Sequence, residues 1–410
     1  MSFPSGWAGD VSRELLSLGF DVSIEDVRSG VEPLLDFPKS ALLPEPRIYQ
    51  HFAINLSLSA ERGIIHLPTG SGKTVVAAHI INCLGIKTLY IVPTKDLLSQ
   101  TYNVLSEFWP ERVGIIGDGT FNPKEVTVAL PQSLWAKHDT KQVKDFLRSV
   151  HLIITDESHH VRVSAGGDTN TWHKLCQMCD ARYRFGMTGS LSKEDLADFL
   201  LRGAFGKVIY EVGVEELRKE GYLSTANVTM FHTEIPNYGN DYRVAYDNGV
   251  LNNHFRNALI VKTAKALADQ GKTVIITVKR IRAHGQPLHD ALKDLGVKVA
   301  FLKGSDARSR RSDVKDAFAE KDVSVVISTV WGEGIDVPSC DAIIIAEAGK
   351  SYVNVVQRMG RVLRISEGKS GAEIYDFIDD DGGVLKRHSM ARKKIYKDIG
   401  HFEIKVIKEG

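Results

Sequence analysis

A phosphate-binding loop is indicated by the run from Leu67 to Thr74, which reads Leu-Pro-Thr-Gly-Ser-Gly-Lys-Thr. Glycines allow the backbone to curl so that consecutive N–H groups point at phosphate oxygens. We expect Lys73 to reach the β- and γ-phosphates of a nucleotide, and the Thr74 hydroxyl to ligate Mg²⁺. Leu67 departs from the usual motif, which begins with glycine. The residues predicted to hold the nucleotide in this loop are Thr69, Gly70, Ser71, Gly72, Lys73 and Thr74.

Two carboxylates follow another predicted strand. The apolar run His151–Thr155 leads directly into Asp156 and Glu157, which places both side chains at the carboxyl edge of a parallel sheet, where ligands of such sheets bind. Asp156 is expected to hold Mg²⁺ through water, and Glu157 to orient and deprotonate an attacking water. An acidic pair alone is commonly a surface turn. Its position after a phosphate-binding loop favours a site that hydrolyses ATP.

These residues must be positioned by strands, and strand candidates alternate with amphipathic stretches along most of the chain. That alternation predicts α/β structure with parallel sheets. One series covers residues 63–155 and a second begins near residue 250, which predicts two α/β lobes. We place their boundary in the polar stretch 235–249. The predicted parts are an N-terminal accessory segment (1–45), an ATP-binding domain (46–235) and a C-terminal domain (236–410).

The accessory segment contains four aromatic residues, Phe3, Trp7, Phe20 and Phe37. Aromatic side chains can stack on bases and help to separate a duplex. Such residues more often pack in a small core or against a neighbouring domain. We therefore favour packing for this segment.

Composition excludes few functions. The formal net charge is +1 and 25% of residues are charged, so a nucleic-acid partner would have to be held by a local positive surface. No run approaches the roughly 20 apolar residues that span a bilayer. The N-terminus has no signal-peptide pattern and four cysteines are too few for a disulfide framework, so we expect a cytoplasmic protein (in the host cytoplasm if the source is a phage).

Cys176 and Cys179 could bind zinc, but a second ligand pair is missing and their spacing favours one face of a helix.

With these residues in view, the chain resembles superfamily 2 helicases of the D-E-x-H type from Arg47 to about Tyr396. The segment 47–50 is similar to the family's adenine-recognition segment, which implies that Gln50 reads the base edge and that Arg47 supports it. Residues 188–190 are similar to the motif that links the state of ATP to domain movement. First-domain contacts with nucleic acid are implied for Pro93, Thr94, Lys95 and Gln132.

The second domain carries further motifs of the family. Residues 328–338 resemble the fifth helicase motif, which implies Gly334 and Asp336 as nucleotide contacts, and residues 357–364 resemble the sixth. Gln357 would lie near the γ-phosphate, and Arg361 and Arg364 would be arginine fingers, because arginines stabilise the charge that develops during phosphoryl transfer. The implied fold is two tandem RecA-like parallel-sheet domains with ATP in the cleft between them, so that hydrolysis drives motion.

The type of nucleic acid is indicated by other features of the sequence. Basic residues after a second-domain strand suggest backbone contacts by Lys279 and Arg280, beside Thr329 of the fifth motif. The chain lacks the D-E-A-D and Ser-Ala-Thr motifs of the main RNA-unwinding group. It looks most like phage branch-migration helicases of the UvsW type, which implies a motor on forked and junction DNA. We expect this motor to be monomeric. An RNA helicase, the motor subunit of a restriction system and a nucleotide-dependent clamp remain alternatives.

Overall fold

A computed structural model describes residues 3–25, 34, 36–161, 171–191, 195–303, 306–329, 340–349, 371–400 and 402–408. The chain divides into two compact units, Met1–Val212 and Gly213–Gly410. In the described residues no helix is long and apolar enough to cross a membrane.

The first unit is an α/β sandwich around a sheet of order β4-β3-β5-β2-β6-β7-β1-β8. Its elements are α1 (Ala8–Ser17), α2 (Ile48–Ala60), β1 (Arg62–His66), α3 (Lys73–Leu84), β2 (Thr88–Ile91), α4 (Lys95–Phe108), β3 (Val113–Gly117), β4 (Thr120–Asn122), β5 (Val126–Ala129), α5 (Pro131–Trp135), α6 (Lys141–Arg148), β6 (Leu152–Thr155), α7 (Thr171–Met178), β7 (Tyr183–Thr188), α8 (Asp195–Phe205) and β8 (Val208–Glu211). Among these strands, β4 pairs with β3 in antiparallel fashion and the remaining pairs are parallel.

The parallel arrangement follows from strands that are apolar on both faces. Every residue of β2, β5 and β6 is buried, as expected for a sheet that is covered by helices on two sides. Because parallel strands point the same way, the chain leaves β1, β2, β5, β6 and β7 at one edge of the sheet. The residues that follow these strands are therefore neighbours.

The accessory segment packs against the first unit through two of its four aromatic residues. Trp7 stacks on Phe199 with the ring centroids 4.9 Å apart, and Phe37 lies 5.5 Å from Trp109. The predicted packing is therefore confirmed for Trp7 and Phe37. The other two, Phe3 and Phe20, are about half exposed, at 47% and 59%.

Cys176 and Cys179 lie in the hydrophobic core of the first unit, on α7 and just after it. Burial raises the pKa of the Cys176 thiol to about 12, so the thiolate that zinc requires is disfavoured. The described residues contain no group of three or more side chains that could hold a metal ion. The sequence predicts both cysteines on one helix face; in the structure Cys176 lies on α7 and Cys179 follows its end.

The second unit contains a parallel sheet of order β11-β12-β10-β13-β14-β9-β15. Its elements are α9 (Val214–Lys219), β9 (Ala226–Glu234), α10 (Tyr242–Tyr246), α11 (His254–Asp269), β10 (Val274–Thr277), α12 (Gln286–Asp294), β11 (Val299–Leu302), α13 (Arg308–Ala319), β12 (Val325–Ser328), β13 (Ala342–Ile345), β14 (Ala372–Asp380), α14 (Val384–Gly400) and β15 (Ile404–Lys408). Two α/β sheets in one chain confirm the predicted fold class.

The predicted domain boundary differs from the division in the structure. Strand β9 precedes the boundary at 235/236, yet it pairs with β14 along its whole length, from Ala226 opposite Ala372 to Glu234 opposite Asp380. The structure divides the chain earlier, between Val212 and Gly213. The polar stretch 235–249 has the composition of a linker, but part of it forms α10, whose Ala245 and Tyr246 are buried in a small core.

Two buried ion pairs anchor helices to β14. Arg256 of α11 places Nε 2.7 Å from Oδ1 of Asp379, and Arg392 of α14 places Nε 2.8 Å from Oδ2 of Asp376. All four side chains are fully buried. Tyr396 donates a further hydrogen bond of 2.7 Å to Asp376. Such pairs are tolerated inside a protein when hydrogen bonds satisfy both charged groups.

Candidate ATP site and nucleic-acid surface

The predicted phosphate-binding loop connects β1 to α3, as the sequence pattern requires. The loop is held against the neighbouring strand β7, because the Leu67 N–H donates to the Thr188 carbonyl at 2.9 Å. Gly70 and Gly72 have φ of 87° and 80°, a conformation that L side chains rarely adopt. A Cβ at Gly72 would also lie 2.6 Å from Nε2 of Gln50. Gly70 and Gly72 are therefore needed for the shape of the loop.

The start of α2 braces this loop. Nε2 of Gln50 donates to the Ser71 carbonyl at 2.8 Å, and the Tyr49 hydroxyl donates to the same carbonyl at 2.5 Å. Oε1 of Gln50 accepts from the Arg47 N–H at 2.9 Å. Both ends of the Gln50 amide are thus bonded within the protein, whereas the family resemblance implied contact with a base. Tyr49 was not predicted; a tyrosine next to a glutamine just before the loop was the available signal.

The residues predicted to carry the chemistry come together at the edge of the sheet. Nζ of Lys73, at the start of α3, lies 3.4 Å from Oε1 of Glu157, and their side chains are only 8% and 12% exposed. Glu157 follows β6 with a left-handed φ of 49°. Its backbone N–H donates to Oδ1 of Asp156 at 2.9 Å, which orients the Asp156 carboxylate. Thr74 follows Lys73 in the first turn of α3.

Asp156 has a strongly perturbed acidity. Burial raises its pKa to about 6, and the neighbouring Glu157 carboxylate acts in the same direction, while Lys73 opposes them. An ionised carboxylate in this position is stabilised by a cation. A divalent metal ion bound there would supply the charge that Lys73 alone does not.

Unpaired polar atoms around the loop test whether a nucleotide and its metal ion would fit. The hydroxyl oxygens of Thr69, Thr155 and Ser190 are buried and form no hydrogen bond within the described part of the chain. Thr69 belongs to the loop, and Thr155 precedes Asp156. Buried hydroxyls normally have partners, so their arrangement is compatible with a polyphosphate and a hydrated cation.

A histidine connects the acidic pair to β7. Nδ1 of His159 lies 3.0 Å from Oγ1 of Thr188 and 3.4 Å from Oε2 of Glu157. The Thr188 hydroxyl in turn donates to the Ser190 carbonyl at 2.9 Å. The residues that resemble the family's coupling motif are therefore in contact with the proposed catalytic carboxylate through one side chain.

The four predicted first-domain contacts line one pocket. Pro93, Thr94 and Lys95 follow β2, and Gln132 lies in α5 after β5, the strand next to β2. The pocket has a volume of about 440 Å³, and its remaining lining residues are Asp118, Gly119, Leu130 and Ser133. Nζ of Lys95 is 2.5 Å from Oδ1 of Asp118. Two motifs that are far apart in sequence thus form one surface.

In the second unit, the predicted contacts follow two neighbouring strands. Lys279 and Arg280 come after β10, and Thr329 comes directly after β12, which pairs with β10 in parallel. Nζ of Lys279 lies over the ring of Tyr242, 5.0 Å from its centroid. Arg280 forms an ion pair of 2.7 Å with Asp247. These basic groups therefore have intramolecular partners.

Five predicted site residues of the second domain lie outside the described residues. They are Gly334, Asp336, Gln357, Arg361 and Arg364.

Comparison with known proteins agrees with this arrangement. A phosphate-binding loop at the edge of a parallel sheet defines the class of P-loop α/β proteins. Residues 43–193 match the family described as "Type III restriction enzyme, res subunit", and residues 256–366 match "Helicase conserved C-terminal domain". The chain belongs to superfamily 2 of the helicases, and it is an ATP-dependent helicase.

Relatives and solved structures extend over most of the chain. It is 26% identical to "ATP-dependent DNA helicase uvsW" of Enterobacteria phage T4, over 87% of this chain and 72% of that protein. It is 25% identical to "DNA 3'-5' translocase XPB2" of Sulfurisphaera tokodaii, over 83% of each. A fragment of a putative HsdR subunit of a type I restriction enzyme from Vibrio vulnificus shares the fold, with a TM-score of 0.67, 21% identity and coverage of 90% of this chain and 70% of that one.

Proposed function

We propose that this helicase couples hydrolysis of Mg²⁺-bound ATP to unwinding or branch migration of forked and junction DNA, in replication, recombination or repair. The observation that carries the ATPase part is the buried group of Lys73, Asp156 and Glu157 beside the phosphate-binding loop. DNA is favoured over RNA because the relatives include a DNA helicase of a phage and a DNA translocase, each similar over more than four fifths of the chain.

In this proposal Lys73 binds the β- and γ-phosphates, and the N–H groups of the loop from Thr69 to Thr74 surround them. Thr74 and Asp156 hold Mg²⁺, which neutralises phosphate charge when it is bound. Glu157 accepts a proton from the attacking water. Gln357, Arg361 and Arg364 are proposed to act on the γ-phosphate, and Gly334 and Asp336 to contact the nucleotide.

The proposed DNA contacts are on both units. Pro93, Thr94, Lys95 and Gln132 form the first-unit pocket, and Lys279, Arg280 and Thr329 lie at the carboxyl edge of the second sheet. Contacts of this kind hold the sugar-phosphate backbone without reading its sequence. We propose that the helicase acts as a monomer.

One set of ATPase measurements tests the substrate. The full chain is assayed with single-stranded DNA, duplex, fork, four-way junction and RNA of matched length, together with strand displacement on the fork and junction. We expect the largest stimulation, and ATP-dependent strand displacement, with fork and junction DNA. Stimulation by RNA with indifference to branched DNA would instead identify an RNA helicase. ATP turnover without strand displacement on any substrate would exclude branch migration.

A restriction motor is the second candidate, because the family matched by residues 43–193 is named for a restriction enzyme subunit. Such a subunit would be stimulated by unbranched duplex and would displace no strand from a fork. The same assays therefore separate the two candidates.

A further inference from the structure

Two lysines of the first unit lie over aromatic rings. Nζ of Lys137 lies 5.7 Å from the centroid of Phe121, and Nζ of Lys174 lies 5.5 Å from the centroid of Trp135. Within the described part of the chain, neither ammonium group forms an ion pair. Neither lysine belongs to the helicase motifs.

The location of both rings connects them to the pocket. Phe121 is in β4, the strand that begins just after Asp118 and Gly119, and Trp135 ends α5, which contributes Gln132 and Ser133 to the lining. Both rings also pack against the same hydrophobic core cluster of the first unit. The two lysines therefore lie over rings from two of the elements that border the pocket.

A ring and a carboxylate hold an ammonium group with different consequences. Lys95 is paired with Asp118 at 2.5 Å, and this carboxylate offsets part of the lysine's charge. An aromatic face attracts a cation through its quadrupole and carries no net charge. Lys137 and Lys174 thus have restricted positions and keep their full positive charge for an anion.

Asp139, an acidic residue two positions after Lys137, already has partners. Asp139 lies 3.2 Å from Nε2 of His138 and 3.4 Å from Nζ of Lys144. His138 also stacks on Trp135 with the centroids 4.0 Å apart. The local balance of charge around Trp135 is therefore positive, which favours a polyanion over an acidic side chain of the protein itself.

We propose that Lys137 and Lys174, which we call the ring-held lysines, bind backbone phosphates of the DNA beyond the pocket. This inference rests on the proposed function, because it extends the path of the DNA from Pro93, Thr94, Lys95 and Gln132. The ligand class is a nucleic-acid backbone, whose evenly spaced phosphates suit two fixed cations that are joined to one pocket.

Binding of a fluorescent forked DNA tests the proposal, with the dissociation constant measured over a series of salt concentrations. The test variant is Lys137→Gln/Lys174→Gln in the full chain. The charge-matched control is Lys219→Gln/Lys265→Gln, because both of these lysines pair with carboxylates in the second unit. We expect the test variant to bind roughly tenfold more weakly at low salt, and the slope of log K against log salt to fall by about 2 in magnitude. The control should bind as the wild type does.

Two further measurements show whether weaker or unchanged binding reflects local damage to the fold, a wrong proposed function or a wrong role for the two lysines. Lys137→Arg/Lys174→Arg should restore binding, since guanidinium groups also stack on aromatic rings and contact phosphates. ATP turnover without DNA should be unchanged in all variants. If the wild type binds no nucleic acid, the proposed function fails. If the wild type binds DNA and the test variant binds equally well with an unchanged slope, the ring-held lysines are not a DNA contact.

Discussion

Lys73 and Glu157 form a nearly buried ion pair, with Nζ 3.4 Å from Oε1. The lysine proposed to bind phosphate is thereby bonded to the carboxylate proposed to activate water. A γ-phosphate that draws Lys73 towards itself would release Glu157 for the attacking water. In the proposed mechanism, this contact links the binding of ATP to the availability of Glu157 as a base.

Glu157→Gln is predicted to abolish turnover while keeping nucleotide affinity. Loss of a general base typically lowers a rate by about 10² to 10⁴. Affinity for ATP should be equal to or above that of the wild type, because the variant removes the carboxylate that competes with phosphate for Lys73. Steady-state ATPase assays and titration with a fluorescent ATP analogue measure the two effects separately.

Lys73→Ala is the matched control, since it removes the phosphate contact itself. It should lose both affinity and turnover. Near-normal hydrolysis by Glu157→Gln would contradict the roles proposed for the pair. Weaker ATP binding by Glu157→Gln than by Lys73→Ala would contradict them as well.

The acidity of Asp156 predicts a pH dependence of turnover. Burial raises its pKa to about 6, so the carboxylate is progressively protonated as the pH falls through this value and then cannot hold a metal ion. We expect kcat/KM to decline below about pH 6 at low Mg²⁺. Because Mg²⁺ competes with the proton for the carboxylate, a higher Mg²⁺ concentration should move the decline to lower pH. A midpoint that does not respond to Mg²⁺ would exclude Asp156 as a metal-holding group.

The same shift predicts an effect on stability. A carboxyl group whose pKa is higher in the folded chain than in the unfolded chain favours folding most below about pH 4, and this contribution is lost as the pH rises to about 6. Asp156→Asn carries no charge at any pH. In the absence of nucleotide it should therefore raise the free energy of unfolding at pH 7.5, by about 1 to 3 kcal/mol, and change it little at pH 4. Urea unfolding at both pH values is the measurement, and an equal effect at both would show that ionisation of Asp156 is not the cause.

The sequence was sufficient to identify the loop and the acidic pair because both depend on local patterns. Glycines at residues 70 and 72 are required by a left-handed backbone, and the carboxylates at 156 and 157 follow a strand that is entirely buried. Parallel pairing then brings the ends of those strands together. The fold class was predictable for the same reason, because it also follows from local patterns and parallel pairing.

Contacts between distant segments could not be predicted in the same way. Strand β9 pairs with β14, and the paired residues are about 146 positions apart in sequence. A local pattern cannot show which strand will be the partner. The bonds of Gln50 and Tyr49 to the Ser71 carbonyl also depend on how α2 approaches the loop. Lys137 and Lys174 gave no signal in the sequence because their aromatic partners come from other elements.

Arg392 supports a backbone segment as well as the core of the second unit. In addition to its pair with Asp376, its Nη1 donates to the Gly349 carbonyl at 2.9 Å, at the end of the segment that precedes residues 350–370. Arg392→Ala leaves the Asp376 carboxylate buried without its cation. Breaking a buried pair in this way typically costs about 3 to 5 kcal/mol, so we expect a large decrease in the free energy of unfolding, measured with urea.

Arg387→Ala is the matched control, because Arg387 lies on the same helix α14 and is exposed. It should change stability by less than about 0.5 kcal/mol. Replacing both members of the pair, as Arg392→Met/Asp376→Leu, removes the uncompensated charge and should recover part of the loss. Equal effects of Arg392→Ala and Arg387→Ala would mean that the buried pair with Asp376 contributes no stability beyond that of an exposed arginine on the same helix. A double variant no more stable than Arg392→Ala would indicate that the hydrogen bonds lost with the two side chains, including those with Gly349 and Tyr396, contribute more than the uncompensated charge on Asp376.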